Sequence, residues 1–395
     1  MMKTNWDVIV VGGGPAGSMS AWESAKNGAS VLMLEKDREI GIPVRCAEGI
    51  GGAGFEKLLE IDKKWIKTKI DKIDLVSPNN TSVKLKFDEK NIGYVLDRRV
   101  FDNDLAKLAS ENGVTIKTKA YVHGLLFSEN GIVNGVKVNI LGEELELNSK
   151  IVIGADGVES RIGRFAGLKT SLKMRDIETC VQAVVSGIDI EPNTLQFYIG
   201  QEFAPGGYLW VFPKGKNVAN IGLGILGAHC NLGRPKEFLE KFLSKYFPNG
   251  SVLNYTAGGV PVAKTLDKIV TDGLVIVGDA ARVVNPISGG GIVSGMHNGK
   301  LAGRRVAEAI SAGNFSKEFL KQYEKDWHKA GGKNHERLYK IKDFILDLTD
   351  ADFNHIAEKV SAIPMEKRSI VKIFKIAVWR KPSLILDVVK AFAGM

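Results

Sequence analysis

Residues 7–36, which read DVIVVGGGPAGSMSAWESAKNGASVLMLEK, decide the fold of this chain. The apolar runs at 8–11 and 31–34 are typical of short buried strands, and the segment 16–26 between them has a helix-like pattern. A strand, a helix and a second strand in this order form the βαβ unit of a parallel sheet. We therefore predict a parallel sheet whose first two strands come from this stretch.

Three glycines in the turn after the first predicted strand have the G-x-G-x-x-G spacing of dinucleotide-binding units. Gly12 permits the tight turn, and Gly14 lets the backbone approach a pyrophosphate at the positive end of the helix dipole. Gly17 lets the helix pack closely on the sheet, and Glu35 at the end of the second strand is suited to bind ribose hydroxyls. The unit predicts a bound dinucleotide, which at this point is either FAD or NAD.

Length and charge narrow the protein class. The chain has 395 residues, so we expect two domains or one elaborated domain. Its formal net charge of +9 favours an acidic membrane surface, an acidic electron carrier or a phosphorylated substrate, or reflects a generally basic proteome. No basic block is interleaved with aromatic residues, so we expect no nucleic acid partner. With no room for a signal peptide and no apolar run of transmembrane length, we expect a cytoplasmic protein.

The cysteines Cys46, Cys180 and Cys230 are odd in number and far apart, which argues against a disulfide framework and a metal site. Cys46 lies in a glycine-rich loop at 38–54, next to Arg45. A neighbouring cation is one route to a lowered thiol pKa. The alternative is a small buried residue in a tight loop.

Two later segments repeat the strand-and-turn pattern. Residues 155–157 (Ala-Asp-Gly) follow an apolar run, and Asp279 follows a second one at 274–277. Glycines at 289–291 then precede a predicted helix of about twenty residues. The helix start has free N–H groups suited to an anion or an electron-rich ring edge. Together with the first site, it indicates one cofactor that spans both.

Arg98 stands at a predicted helix start. Asp97 is a suitable N-cap for a helix through about residue 112, and this places Arg98 in the first turn. There it could reach a phosphate or remain an exposed cation.

The strand-rich middle region, 176–262, contains a row of aromatic residues. Tyr208, Trp210 and Phe212 alternate, so all three lie on one face of a predicted strand. Such a row is more often core than the wall of a binding site, but the flanking glycines and prolines favour the edge of a cavity.

The C-terminal part is predicted to be helical. Residues 369–395 are apolar with interspersed lysines and Arg380, which predicts a basic amphipathic helix. Such a helix either lies on an anionic membrane surface or packs on its own domain. The predicted division is an FAD-binding domain at 1–70, 93–170 and 268–320, a substrate-binding sheet domain at 71–92 and 171–267, and a helical region at 321–395.

Three motifs stand in fixed order: GGGPAG with Glu35, ADG at 155–157, and GDAARVVNPISGGGI at 278–292. This set resembles the FAD-dependent superfamily that includes p-hydroxybenzoate hydroxylase, squalene epoxidase and the geranylgeranyl reductases. PVRCAEG at 43–49 and PGGYLWVFPKG at 205–215 resemble archaeal geranylgeranyl reductases. The resemblance implies an α/β fold with mixed sheets: a Rossmann-like FAD-binding domain, an antiparallel-sheet substrate domain and a C-terminal helical region.

The resemblance also implies an activity and a site. The expected reaction hydrogenates the geranylgeranyl double bonds of archaeal isoprenoid phospholipids. The alternatives are an FAD-dependent monooxygenase that uses NAD(P)H and oxygen, and an electron-transfer flavoprotein with a membrane partner. A ferredoxin or NAD(P)H is the expected electron donor, and the chain is expected to be a monomer. The implied FAD contacts are Ala16, Glu35, Cys46, Ala47, Gly49, Arg98, Val122, Asp279, Gly291 and Ile292.

The chemistry of an isolated alkene suggests roles for side chains. No carbonyl polarises the double bond, so we expect a proton and a hydride to add, with positive charge developing at the more substituted carbon. The hydride would come from reduced FAD and the proton from Cys46 or a bound water. Tyr208 and Trp210 would stabilise transient positive charge, and with Phe212 they would line an apolar tunnel for the chain.

Overall fold

The structure is a computed structural model, and it describes residues 3–88, 92–379 and 381–392. In chain order the strands are β1 (Asn5–Val11), β2 (Val31–Leu34), β3 (Gly49–Gly51), β4 (Ile66–Ile70), β5 (Lys72–Val76), β6 (Ser82–Lys86), β7 (Gly93–Leu96), β8 (Thr115–Lys117), β9 (Ala120–Phe127), β10 (Val133–Ile140), β11 (Glu143–Gly154), β12 (Ile177–Ser186), β13 (Thr194–Ile199), β14 (Tyr208–Pro213), β15 (Val218–Leu226), β16 (Ser251–Pro261), β17 (Val270–Thr271) and β18 (Leu274–Ile276). The helices are α1 (Pro15–Lys26), α2 (Gly52–Glu56), α3 (Arg98–Glu111), α4 (Arg161–Phe165), α5 (Pro235–Tyr246), α6 (Ile292–Ala312), α7 (Lys317–Trp327), α8 (Lys333–Ile345), α9 (Asp350–Ser361), α10 (Ile370–Ala377) and α11 (Ile385–Ala391).

The first sheet has β1 at its centre, with strand order β17-β18-β11-β1-β2-β8. β1 pairs in parallel with both β2 and β11, and α1 connects β1 to β2, so the predicted βαβ unit is confirmed. Val8, Ile9 and Val10 have no exposed surface because both faces of the sheet are covered. β9, β10 and β11 add an antiparallel meander, which makes the sheet mixed.

Helices α1 and α6 pack against each other through small residues. A Cβ atom on Gly299 would lie 2.3 Å from the carbonyl oxygen of Ala16, and one on Gly303 would lie 2.6 Å from that of Ser20. Only glycine permits this approach of the two backbones. The approach brings the N-terminal end of α1 next to the first turns of α6.

The second sheet has strand order β16-β12-β15-β14-β13-β5-β6 and is antiparallel except between β13 and β5. One face, with Leu209, Val211 and Ile221, packs on Leu239 and Phe242 of α5. Because side chains alternate along each strand, the other face carries a second set of residues that face away from α5. A small third sheet has the strand order β3-β7-β4.

The C-terminal part is helical, as predicted, and α7 to α11 are connected by short segments. The single helix predicted over 369–395 is wrong, because α10 ends at Ala377 and α11 begins at Ile385 after a turn of 3₁₀ helix, Pro382–Leu384. Arg380 and residues 393–395 lie outside the described residues. In the described part of the chain, no helix combines the length and the apolar character needed to cross a bilayer.

Candidate active site

A cavity of about 1190 Å³ lies between the turns of the first sheet, one face of the second sheet and the C-terminal helices. Of the predicted site residues, Gly12, Glu35 and Val122 lie outside its lining, and Val122 is buried in β9 opposite Val138. The predicted residues that line it are Gly14, Ala16, Gly17, Cys46, Ala47, Gly49, Arg98, Tyr208, Trp210, Phe212, Asp279, Gly291 and Ile292.

Two helices begin at the wall of this cavity without a side-chain cap. Gly14 and Gly291 are the N-caps of α1 and α6, and neither helix has an acidic residue in its first turn. Their first N–H groups therefore remain available to an anion. A Cβ atom on Gly17 would lie 1.9 Å from the carbonyl oxygen of Gly12, whereas one on Gly14 would meet nothing within 4 Å. The turn is closed on the sheet side and open on the cavity side.

Two carboxylates beside this turn, those of Glu35 and Asp156, accept hydrogen bonds from the backbone. Glu35 accepts hydrogen bonds from the N–H groups of Gly13 (2.8 Å) and Asp37 (2.9 Å), so it holds the turn. Asp156 accepts one from Ile162 N–H (2.9 Å) through Oδ2, while its buried Oδ1 has no partner among the described residues. Burial raises the pKa of Asp156. The open turn, the uncapped helices and this acceptor fit a dinucleotide with phosphates and hydroxyl groups.

Cys46 lines the cavity and is half-buried. Burial raises the pKa of its thiol above the ordinary 9.0, and the cation that opposes this effect is Arg98. Of the two interpretations of Cys46, the structure therefore favours the buried residue, because desolvation outweighs the neighbouring charge. The sulfur also accepts a hydrogen bond from Glu48 N–H (3.2 Å). At neutral pH the thiol keeps its proton.

Arg98 is fixed by the carboxylate of Asp102, which was not predicted as a site residue. Its Nε and one terminal nitrogen donate to the two oxygens of Asp102 at 2.6 and 2.7 Å. Asp97 accepts from Val100 N–H, as expected of an N-cap, and α3 begins at Arg98. The bidentate pair holds the guanidinium at the wall of the cavity.

Glu48 joins the Cys46 loop to the second sheet, a role that was not predicted from the sequence. Its carboxylate accepts from Lys214 Nζ (2.5 Å), Asn220 Nδ2 (2.6 Å) and the Arg98 N–H (2.9 Å). Glu48 is only 2% exposed and has a left-handed backbone, with φ of 71°. The one sequence signal for this contact was that Lys214 belongs to the motif PGGYLWVFPKG at 205–215. These bonds hold the strained loop in place.

The aromatic row of β14 is both core and cavity wall. Trp210 donates from Nε1 to Gln182 Oε1 (2.9 Å), and Gln182 in turn donates to the carbonyl oxygen of Cys46 (3.0 Å). Tyr208 donates to the carbonyl oxygen of Ser288, in the loop before α6. Phe212 packs over Gly49, where a Cβ atom would lie 2.8 Å from its ring. The row therefore contacts both the Cys46 loop and the segment before α6.

One row of residues runs across the second sheet along the cavity. The paired positions, in strand order from β6 to β16, are Val83, Leu75, Phe197, Trp210, Gly222, Gln182 and Thr256. All but Gly222 line the cavity, and a Cβ atom on Gly222 would lie 2.5 Å from the Trp210 ring. From β14 to β6 the floor crosses three strand spacings, or about 14 Å. Most of this floor is apolar.

The C-terminal helices cover the β6 end of this floor. Ile356, Ala357 and Val360 of α9 line the cavity, as do Ile373 and Phe374 of α10. No residue of this region was predicted to belong to the site. Amphipathic spacing was the only signal, and it does not tell which surface an apolar face covers.

Comparison with known proteins places the chain in a family. The family model of the geranylgeranyl reductase catalytic domain matches residues 176–260, and that of FAD dependent oxidoreductases matches residues 7–204. The digeranylgeranylglycerophospholipid reductase of Methanocella arvoryzae is 44% identical over 98% of this chain and 99% of its own length. That of Methanoculleus marisnigri is 42% identical over 98% of both chains.

Solved structures agree with this placement. A geranylgeranyl bacteriochlorophyll reductase-like protein from Thermoplasma acidophilum is 34% identical, with a TM-score of 0.90 over 99% of this chain and 100% of its own. A flavin-dependent brominase has a TM-score of 0.75 at 17% identity over 98% of this chain and 99% of its own, which shows a common fold alone. The predicted FAD cofactor and fold class are confirmed. The chain is a member of the digeranylgeranylglycerophospholipid reductase family of FAD-dependent oxidoreductases.

Proposed function

We propose that this chain hydrogenates the geranylgeranyl double bonds of digeranylgeranylglycerophospholipids, with FAD as its cofactor. The observation that carries the proposal is the single cavity that joins the uncapped N-termini of α1 and α6 to the apolar floor of the second sheet. A prenyl chain lying on this floor would pass Cys46 and the aromatic row. FAD, when bound, supplies the hydride.

Cys46 is the proposed proton donor. The thiol is protonated at neutral pH because burial raises its pKa. When Sγ releases its proton to the alkene, Arg98 and the Glu48 N–H stabilise the thiolate that remains. Trp210 and Tyr208 present ring faces that can stabilise positive charge on the substrate carbon. The apolar wall excludes water, which would otherwise compete with the thiol as the acid.

Anaerobic incubation separates this function from the alternatives. Chemically reduced enzyme is mixed with digeranylgeranylglycerophospholipid without oxygen, and the lipid is analysed by mass spectrometry. The proposal expects a gain of two hydrogens per reduced double bond. A monooxygenase would leave the lipid unchanged until oxygen is admitted, and an electron carrier would leave it unchanged in both cases.

We propose further that the lipid reaches the cavity from an anionic membrane surface. One side of α10 lines the cavity, while Lys375 on this helix, Lys381 before α11 and Lys390 on α11 are exposed. Leu386 is 60% exposed, and Val389 lies one turn away on the same face of α11. Exposed apolar residues among lysines are typical of a surface that binds anionic lipid.

The membrane contact predicts a selective effect of a charge on α11. Leu386→Glu should weaken binding to vesicles that contain phosphatidylglycerol, because a carboxylate replaces an inserting side chain. Binding is measured by co-sedimentation. The matched control is Leu253→Glu on β16, where the leucine is 62% exposed. Equal binding of the two variants and the parent protein would contradict the contact.

The electron donor stays a prediction, either a ferredoxin or NAD(P)H. The net charge of +9 supports an acidic ferredoxin. Anaerobic rates of FAD reduction by each donor, measured at two salt concentrations, distinguish them, since an electrostatically guided encounter slows with salt.

A further inference from the structure

Glu178 is a buried carboxyl group at the wall of the cavity for which the proposed chemistry has no use. It lies on β12 and is 9% exposed. Its side chain lines the cavity, and it makes no side-chain hydrogen bond within the part of the chain that the structure describes. Buried polar groups are normally hydrogen-bonded, so a group without a partner calls for a ligand-related explanation.

The second sheet provides the space that this carboxyl group occupies. Gly224 lies beside it on β15, and a Cβ atom there would be 2.7 Å from Glu178 Oε2. A Cβ atom on Gly207 would lie 3.6 Å from Glu178 Cδ. Glycine at these positions lets the carboxyl group lie on the cavity face of the sheet.

Glu178 lies at a different position along β12 from the residue that contacts the Cys46 loop. It precedes Gln182 by four residues on β12, about 14 Å along a strand, and Gln182 is the residue that bonds the Cys46 loop. Glu178 therefore faces a different part of a bound chain from the part that Cys46 faces.

The charged groups around Glu178 do not pair with it. From α8, Lys342 donates to the carbonyl oxygen of Val262 (2.6 Å) and lies 3.8 Å from Asp176 Oδ1. From β12 and β14, Cys180 and Tyr208 have pKa values raised by burial, so both stay neutral at neutral pH. Burial raises the pKa of Glu178 to about 7, and Lys342 opposes this only in part.

An apolar chain that fills the cavity would remove the remaining water from this carboxyl group. A carboxylate with no hydrogen bond is far more costly in such surroundings than a neutral carboxylic acid. We propose that Glu178 is a substrate-contact residue whose carboxyl group must bind a proton before an isoprenoid chain can fill the cavity, so that lipid binding takes up one proton. The inference rests on the proposed function, because it takes an isoprenoid chain as the occupant.

The dependence of lipid affinity on pH has a definite direction. Because the chain raises the pKa of Glu178 further, binding is strongest where Glu178 is already protonated in the free protein. Affinity is constant below about pH 7 and falls about tenfold per pH unit above it, until the pKa of the bound state is reached.

The test uses the full-length, oxidised, FAD-loaded protein and geranylgeraniol, an uncharged isoprenoid alcohol, so that no group of the probe titrates. Its dissociation constant is measured between about pH 6 and pH 9, and proton uptake is measured by calorimetry in buffers of different ionisation enthalpy. The parent protein should lose affinity above neutral pH and take up close to one proton. Glu178→Gln should bind equally well across this range, and the exposed control Glu129→Gln should behave as the parent.

A flat affinity profile in the parent, or a Glu178→Gln variant that keeps the pH dependence, would overturn the proposal. Calorimetry on the parent decides the matter even if that variant does not fold. Geranylgeraniol binding without proton uptake, together with anaerobic lipid reduction, removes this role and leaves the proposed function intact. Absence of binding at every pH would overturn both.

Discussion

Burial and a cation act in opposite directions on the thiol of Cys46. Burial dominates, so the pKa lies above 9.0, while Arg98 and the Glu48 N–H would stabilise the thiolate formed on proton release. A general acid of this kind is protonated at neutral pH, and it donates one proton to each double bond that is reduced.

Cys46→Ser should slow alkene reduction by about 10²-fold, because a hydroxyl group is a far weaker acid than a thiol. FAD content, read from the absorbance per chain, should be unchanged. In the parent protein the reduction rate at saturating lipid should be constant through neutral pH and fall above the pKa of the thiol, that is above 9.0. Equal losses of FAD and of activity would reduce Cys46 to a structural cofactor contact.

The ion pair between Lys214 and Glu48 should contribute to stability. Lys214→Met leaves a carboxylate that is 2% exposed without its cation, which costs about 3–5 kcal/mol by analogy with other buried pairs. Urea unfolding measures the change. Lys216→Met, two residues away and exposed, is the matched control. Similar stabilities of the two variants would show that the pair is not important.

At the scale of elements, the sequence predicted structure that depends on short-range spacing. It did not predict contacts between segments that are far apart in the chain. The strand–turn–helix of residues 7–36 and the Asp97 cap were predicted because short-range spacing determines them. The apolar periodicity of 369–395 predicted helix but missed the break between α10 and α11. The contact of Ala16 with Gly299 joins segments far apart in the chain, and no spacing within either segment encodes it.

Gly299→Ala tests the packing of α1 on α6. Alanine is normally better than glycine in a helix by about 1 kcal/mol. Here the new Cβ atom would lie 2.3 Å from a backbone carbonyl oxygen, so overpacking should destabilise the protein by about 1–3 kcal/mol. At Gly295 the added Cβ atom would meet its nearest neighbour at 3.5 Å, an ordinary contact. Chemical unfolding should therefore show that the Gly295→Ala variant is more stable than the Gly299→Ala variant. The reverse order of stability would contradict the packing.

At the scale of the molecule, the cavity is assembled from regions that are separate in sequence. Gln182 bonds the Cys46 loop across 136 residues of chain, and Ala357 of α9 packs with Val83 of β6. The end of the cavity at the first βαβ turn, where we propose that FAD binds, could be predicted because its glycines act within one turn. The β6 end could not, because it depends on which apolar face of α9 and α10 meets the second sheet. The proposed division into domains and the proposed monomer remain predictions.

We propose that the prenyl chain lies on the floor that extends from β14 to β6. Ala357→Phe should fill the β6 end of the cavity, and Ala351→Phe, on the exposed side of the same helix, is the matched control. The most direct measurement is the anaerobic kcat/KM of each variant on geranylgeranyl and geranyl substrates. We expect Ala357→Phe to lose activity on the long chain and to keep it on the short one, while the control resembles the parent. Equal changes on both chain lengths would contradict it.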